Sequence, residues 1–133
     1  MIVVDTNTIA YVFIPGEHTP QAREVLQKDA EWVAPRLWRS EFRNILTSYL
    51  RQNYLTLPQA LQMMQEAENL MRGGEYEMTS LQVLSLASTS SCSAYDCEFI
   101  ALGQDLGVPV VTSDRQLLQA FPSTTISMDE FVK

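Results

Sequence analysis

Ile2-Val3-Val4-Asp5-Thr6-Asn7 is the stretch on which the reading of this chain turns. Three consecutive branched apolar residues are too few for a helix. They also lack the polar alternation of a strand with one wet face, so they read as a short strand covered on both sides. Strands of this kind belong to parallel sheets, and the acid that ends this one falls at the carboxyl edge, where open parallel sheets hold their ligands. The same construction returns near the far end, where Val108-Pro109-Val110-Val111-Thr112 leads through Ser113 to Asp114. Trp32-Val33-Ala34 reads as a third short strand.

Helical spacing fills the intervals. Thr19-Pro20 gives a cap and a first-turn proline ahead of Ala22, Val25 and Leu26. From Leu37 to Tyr49, the residues Trp38, Phe42, Ile45, Leu46 and Tyr49 recur at i, i+4, i+7, i+8 and i+11, which predicts an amphipathic helix. Thr56-Leu57-Pro58 starts another, carried by Leu61, Met64, Leu70 and Met71 and stopped by Gly73-Gly74. A shorter helix is expected over Leu81 to Ala87, one from Ser93 through Phe99, Ile100 and Leu102 to Gly107, and one over Arg115 to Phe121. Thr124 to Ser127 reads as an edge strand. This alternation predicts an α/β fold of βαβ units with right-handed crossovers and a doubly wound sheet. At 133 residues, 46% of them hydrophobic, the chain has material for one core, so residues 1–133 are expected to form a single domain.

Composition narrows the functional classes. The apolar runs are all short, and the first residues offer neither a basic segment nor an extended apolar one, so the expectation is a cytoplasmic protein with no membrane span. Cys92 and Cys97 stand five apart, a spacing that suits neither a disulfide framework nor a CxxC pair, and both are expected to be reduced. With 16 Asp and Glu against 9 Lys and Arg, the formal charge of −7 argues by itself against a nucleic-acid binder.

Four acids stand where the pattern does not ask for them. Asp5 and Asp114 follow the ends of two apolar strands. Glu41 and Asp96 sit on the edges of the apolar stripes of their helices, beside Trp38 and Ile45 in one case and Phe99 and Ile100 in the other. Each has an ordinary explanation. Asp5 could cap a helix beginning at Thr6, Asp114 could cap one beginning at Arg115, Asp96 could complete a capping box with Ser93, and Glu41 could reach solvent along its stem. Capping alone predicts no convergence, whereas strand ends and helix starts at one edge of a parallel sheet do converge. Two carboxylates about 5 Å apart at an effective dielectric near 20 repel by roughly 3 kcal/mol, so a cluster of four calls for a counter-ion. An all-oxygen donor set without histidine favours Mg²⁺ or Mn²⁺ over zinc. The chemistry that such a site serves best is phosphodiester hydrolysis, which would also let an acidic protein approach a polyanion.

Taken together, Val-Val-Asp5-Thr6-Asn7, Glu41 followed by Asn44, Tyr95-Asp96-Cys97-Glu-Phe-Ile-Ala-Leu and Val-Pro-Val-Val-Thr112-Ser113-Asp114 resemble the PIN-domain signature, and the single-domain ribonuclease toxins of VapC type most of all. The resemblance spans nearly the whole chain and lies in the order and spacing of the motifs. It implies a three-layer α/β/α nuclease domain whose mostly parallel sheet is flanked by helices, with Asp5, Glu41, Asp96 and Asp114 as catalytic and metal-binding acids. It also implies Thr6, Asn7, Asn44, Thr112 and Ser113 as supporting residues. The implied activity is Mg²⁺- or Mn²⁺-dependent cleavage of RNA, the implied partners a cognate antitoxin and a second copy of the chain. Two departures stand out: Cys97 occupies a place where a small residue is usual, and Arg115-Gln-Leu follows the last acid where an aromatic residue often comes soon after.

Arg36, Arg39 and Arg43 recur at i, i+3 and i+7, a basic ridge that reads either as a solvated face or as a surface for RNA phosphates or an acidic antitoxin segment. His18 reads as an exposed loop residue, and Met63, Met64 and Met71 as core or dimer surface. Tyr11, Trp38 and Tyr95 fall at helical core positions and are expected to pack rather than stack on bases. A receiver domain would need a lysine after a late strand, and a haloacid-dehalogenase-like phosphatase would need an Asp where Asn7 stands. The remaining alternative is a PIN-like fold kept as a non-catalytic RNA- or protein-binding module.

Overall fold

Ile2–Val4 (β1) is the central strand of a five-stranded sheet in the computed structural model, which describes residues 1–133. Along the chain follow α1 (Thr6–Phe13), α2 (Thr19–Lys28), β2 (Trp32–Pro35), α3 (Trp38–Arg51), α4 (Leu57–Leu70) and β3 (Glu75–Tyr76). Then come α5 (Ser80–Ser88), α6 (Ala94–Leu106), β4 (Val110–Val111), α7 (Arg115–Ala120), β5 (Thr125–Ile126) and α8 (Met128–Val132). The strand order is β3-β2-β1-β4-β5, and every pair is parallel. The sheet is therefore wholly parallel rather than mostly so, and with its flanking helices it forms the three layers α/β/α.

All three residues of β1 and both of β4 are buried, as uniformly apolar strands between two helical layers must be. The chain leaves β1 toward β2 on one side and later returns to lay β4 on the other. The register Val3↔Val110 and Val4↔Val111 puts the carboxyl ends of these two neighbours side by side. Reversal of strand order at this point opens a crevice beyond their ends.

Local signals set the helix starts. Thr56 and Gln59 form the reciprocal capping box of α4, Thr79 caps α5, and Ser93 caps α6. Trp38, Phe42 and Leu46 carry the buried stripe of α3. Met64 and Met71 are core residues and Met63 is half-buried against them. Helix α6 lies across β1, β2 and β4, with α5 against it. Its close approach depends on Gly103, where a Cβ would stand 2.6 Å from Val110 Cγ2 and 3.1 Å from the Val108 carbonyl oxygen. Cys92 and Cys97 are both free and buried. No helix is long and apolar enough to cross a membrane.

Two expectations change. Tyr95 is 62% exposed: it stands in the first turn of α6, one turn before the buried Phe99 on the same face of the helix. Two elements, β3 and α8, were not anticipated. Glu75-Tyr76 has no apolar run, and it becomes a strand because Ala34 N–H donates to the Gly74 carbonyl oxygen (2.9 Å) and Arg36 N–H to that of Tyr76 (2.9 Å).

Candidate active site

The four acids come together. Asp5, Glu41, Asp96 and Asp114 line one crevice of about 260 Å³ beyond the ends of β1 and β4, with Thr6, Asn7 and Asn44 on its polar side and Ile45, Phe99 and Leu117 below. Capping and convergence turn out to be one arrangement. Asp5 is the N-cap of α1 and Asp114 that of α7, so the turns that end the two strands hold both carboxylates at the rim.

Asp5 is the deepest of the four, 8% exposed. Its Oδ1 accepts from Thr8 N–H (2.9 Å) and Thr8 Oγ1 (2.6 Å), and its Oδ2 accepts from Thr112 Oγ1 (2.6 Å). The same Thr112 oxygen accepts from Asp114 N–H at 3.0 Å, so one fully buried hydroxyl links the two strand-end acids. Asp114 Oδ1 accepts from Gln116 N–H (2.8 Å) and Leu117 N–H (3.3 Å). Glu41 extends from the first turn of α3, where its Oε1 accepts from Thr6 Oγ1 at 2.7 Å. Asp96 sits in the first turn of α6, its amide bonded to Ser93 Oγ (3.0 Å). Gln116 Nε2 donates to the Ser91 carbonyl oxygen (2.9 Å), tying the start of α7 to the loop that precedes α6.

Electrostatics record the crowding. Burial pushes the Asp5 carboxyl above its ordinary range, against the lowering effect of its Thr112 and Thr8 donors, and Asp114 adds to the rise. Burial likewise raises Glu41, opposed by Thr6 and reinforced by Asp96, Asp5 and Glu98. Asp96 is raised first by burial and next by Asp114, with Ser93 opposing and Asp5 adding. Asp5, Glu41 and Asp96 thus meet a site that disfavours their charge.

No three of the acids close around one point tightly enough to hold an ion as the side chains stand. The donor chemistry is nonetheless that of a hard divalent cation: oxygen alone, four carboxylates, no histidine or thiol at the rim. Hydrogen bonds hold both oxygens of Asp5 and one each of Asp114 and Glu41, and leave Asp114 Oδ2, Glu41 Oε2 and the Asp96 carboxylate without a backbone donor. Raised carboxyl groups of this kind are what a cation would relieve.

Among the supporting residues, Thr6 and Thr112 bond directly to the acids, and Asn7 and Asn44 line the crevice, but Ser113 is exposed and lies outside its lining. Thr8 was missed, being one more small polar residue in a helix, and only its donation to a buried acid marks it. Gly103 was missed as well, although an isolated glycine inside a helical pattern is a packing signal. The basic ridge is divided. Arg39 makes a bidentate pair with Glu75 (Nε to Oε2 2.6 Å, Nη2 to Oε1 2.7 Å) and a third bond to Glu68, fastening α3 to β3 and α4. Only Arg36 and Arg43 keep exposed guanidinium groups, in a shallow hollow that shares no residue with the crevice.

Comparison with known proteins places the chain in a family and agrees with its fold. The family model described as PIN domain matches residues 2–121. Ribonuclease VapC3 of Pyrobaculum aerophilum is 27% identical over 125 residues, covering 92% of this chain and 95% of the relative. PAE2754 from the same organism, whose crystal structure is known, shares the fold at a TM-score of 0.78 with 17% identity, over 98% of this chain and 92% of that one. A toxin-antitoxin complex from Klebsiella pneumoniae also has it, at a TM-score of 0.68 and 12% identity, over 96% of this chain and 98% of its own.

Proposed function

The chain belongs to the PIN domain family, and on that premise we propose that it is an endoribonuclease dependent on Mg²⁺ or Mn²⁺, the toxin of a toxin-antitoxin pair. The observation that carries this reading is the lining of one crevice by Asp5, Glu41, Asp96 and Asp114, drawn from two strand ends and two helices. The name of the relative Ribonuclease VapC3 supports the substrate class, and the toxin-antitoxin complex of like fold supports the partner.

In this reading Asp96, Asp114, Glu41 and Asp5 would hold the cation. When bound, it supplies a water of lowered pKa and neutralises charge on the scissile phosphate and its leaving oxygen. The residues of the chain do the rest. Thr112 and Thr8 fix both oxygens of Asp5, which opposes the effect of burial on that carboxylate and sets its orientation at the crevice. Thr6 holds one oxygen of Glu41 and leaves the other free to orient a water or share the cation. The Asn7 and Asn44 amides at the rim can donate to phosphate oxygens without adding charge. Arg36 and Arg43, the unpaired part of the ridge, are proposed to meet more distant phosphates or an acidic stretch of an antitoxin. A second copy of the chain is proposed as a further partner, and the exposed Leu57 and Leu61 of α4 offer apolar surface for it.

The rival, a PIN-like module without catalysis, draws on one fact, the open spacing of the acids. Incubation of purified protein with single-stranded RNA and millimolar Mg²⁺ or Mn²⁺, followed by mapping of the cleaved ends, separates the two. Cleavage that stops on chelation and in Asp5→Asn supports the enzyme. Metal-independent cleavage, or none in either cation, rejects it.

A further inference from the structure

A second cavity, of about 280 Å³, adjoins the acidic crevice, and Asn7 and Ile45 belong to the walls of both. Its character is the reverse of its neighbour's. Tyr11, His18 and Tyr49 supply aromatic walls, no lysine or arginine lines it, and its one charged residue is the outward-facing Glu17. The Tyr11 and His18 rings lie 4.6 Å apart at a tilt of 37°, a preformed pair at the mouth of the loop between α1 and α2. Thr19 fastens that loop, since its Oγ1 donates to the Tyr11 carbonyl oxygen (2.6 Å) and accepts from Gly16 N–H (3.0 Å). Tyr49 presents its ring from the last turns of α3.

A site lined by no lysine or arginine, whose single histidine already faces Glu17 at 3.5 Å, has little to offer a phosphate, whereas aromatic faces beside an amide suit an uncharged planar group. Its size lies near the bottom of the range for small-molecule sites, which fits one ring system rather than an extended ligand. Resting on the ribonuclease reading of the neighbouring crevice, we propose that this cavity receives a nucleobase of single-stranded RNA next to the scissile phosphate, stacked between Tyr49 and the Tyr11–His18 pair with its edge toward Asn7. Unpaired bases are read in this manner, on aromatic faces with hydrogen bonds to their edges, and duplex RNA cannot present them. The shared wall fixes the spacing, because a chain whose phosphate sits among the acids carries its adjacent base past Asn7 and Ile45.

The test is fluorescence anisotropy with end-labelled single-stranded RNA and the whole protein, in Ca²⁺ so that an oxygen-ligand site is filled with looser geometry than Mg²⁺ demands. His18→Ala combined with Tyr49→Leu changes two exposed side chains, and melting curves verify the fold. The proposal predicts a loss of affinity of roughly tenfold, equivalent to about 1.4 kcal/mol of stacking. It also predicts that Tyr49→Phe alone binds as wild type, and that an RNA of abasic nucleotides binds both proteins equally weakly. Undiminished binding by the double variant overturns the base site and leaves the ribonuclease reading standing. If wild-type protein binds no single-stranded RNA, both are overturned.

Discussion

Asp96→Asn should invert the order of stability between metal-free and metal-loaded protein. Without metal, the substitution removes one charge from a crevice that it shares with Asp5, Glu41 and Asp114. Two unit charges about 6 Å apart repel by roughly 0.7 kcal/mol in bulk water and roughly 2.8 kcal/mol at an effective dielectric of 20. Asp96 is only half-buried, so its summed relief lies nearer the lower figure, at about 1.5 kcal/mol. Against this stands the helix dipole, since Asp96 occupies the first turn of α6, where an acid contributes about 0.5 kcal/mol. Repulsion wins by about 1 kcal/mol, so the variant should melt roughly 4 °C above wild type in chelator. Cation at ten times its Kd stabilises wild type by about 1.4 kcal/mol through mass action, while a variant that has lost a ligand gains little. The two melting curves should therefore cross as Mg²⁺ or Mn²⁺ is titrated, which the emission of Trp32 and Trp38, both buried, can follow. A variant less stable than wild type in chelator, with no response to cation in either, would show that Asp96 is a helix-end acid and nothing more.

Other consequences are as direct. Because Asp5, Glu41 and Asp96 have raised carboxyl groups, the folded state holds protons more tightly than the unfolded one. The stability this gives is full below the ordinary carboxyl range and is lost as pH rises through the elevated folded values. Urea midpoints in chelator should accordingly fall as pH rises above the ordinary carboxyl range, and saturating Mg²⁺ should flatten the slope; an upward slope would refute the shifts. Thr6→Val removes the donor that orients Glu41, and by the usual effect of such supporting bonds Mn²⁺ affinity should drop about tenfold, read by calorimetric titration, for about 1 kcal/mol of stability. Gly103→Val must displace α6 from Val110, at roughly 1–3 kcal/mol in chemical denaturation, and should lower RNA cleavage as well, since Asp96 lies on the same helix face two turns earlier.

Much of this architecture is legible in the sequence, for identifiable reasons. Ile2-Val3-Val4 and Val110-Val111 leave no surface to solvent, and only a covered parallel sheet accommodates such runs. Asp5 and Asp114 could be singled out because each caps a helix at the turn where a strand gives way to it, and Glu41 and Asp96 because each interrupts the edge of an apolar stripe. What stayed hidden depends on partners distant in sequence. Glu75 becomes an edge strand and an anchor for Arg39 only once β2 and α3 stand beside it, and local pattern carries no trace of that pairing. The basic ridge looked continuous for the same reason, since helical periodicity places Arg39 on a face but cannot see the carboxylates that meet it. Tyr95 fits the helical period of Phe99, yet it stands in the first turn of α6 and stays wet.

Crystals grown with Mn²⁺ and measured at its absorption edge would test the central claim most directly. The anomalous difference map should show density in the crevice between Asp5, Glu41, Asp96 and Asp114, with carboxylate oxygens from at least two of them at roughly 2.0–2.6 Å, the range for hard cations on oxygen. An empty crevice at millimolar Mn²⁺, with the four side chains apart and hydrogen-bonded as they are in the protein alone, would contradict it.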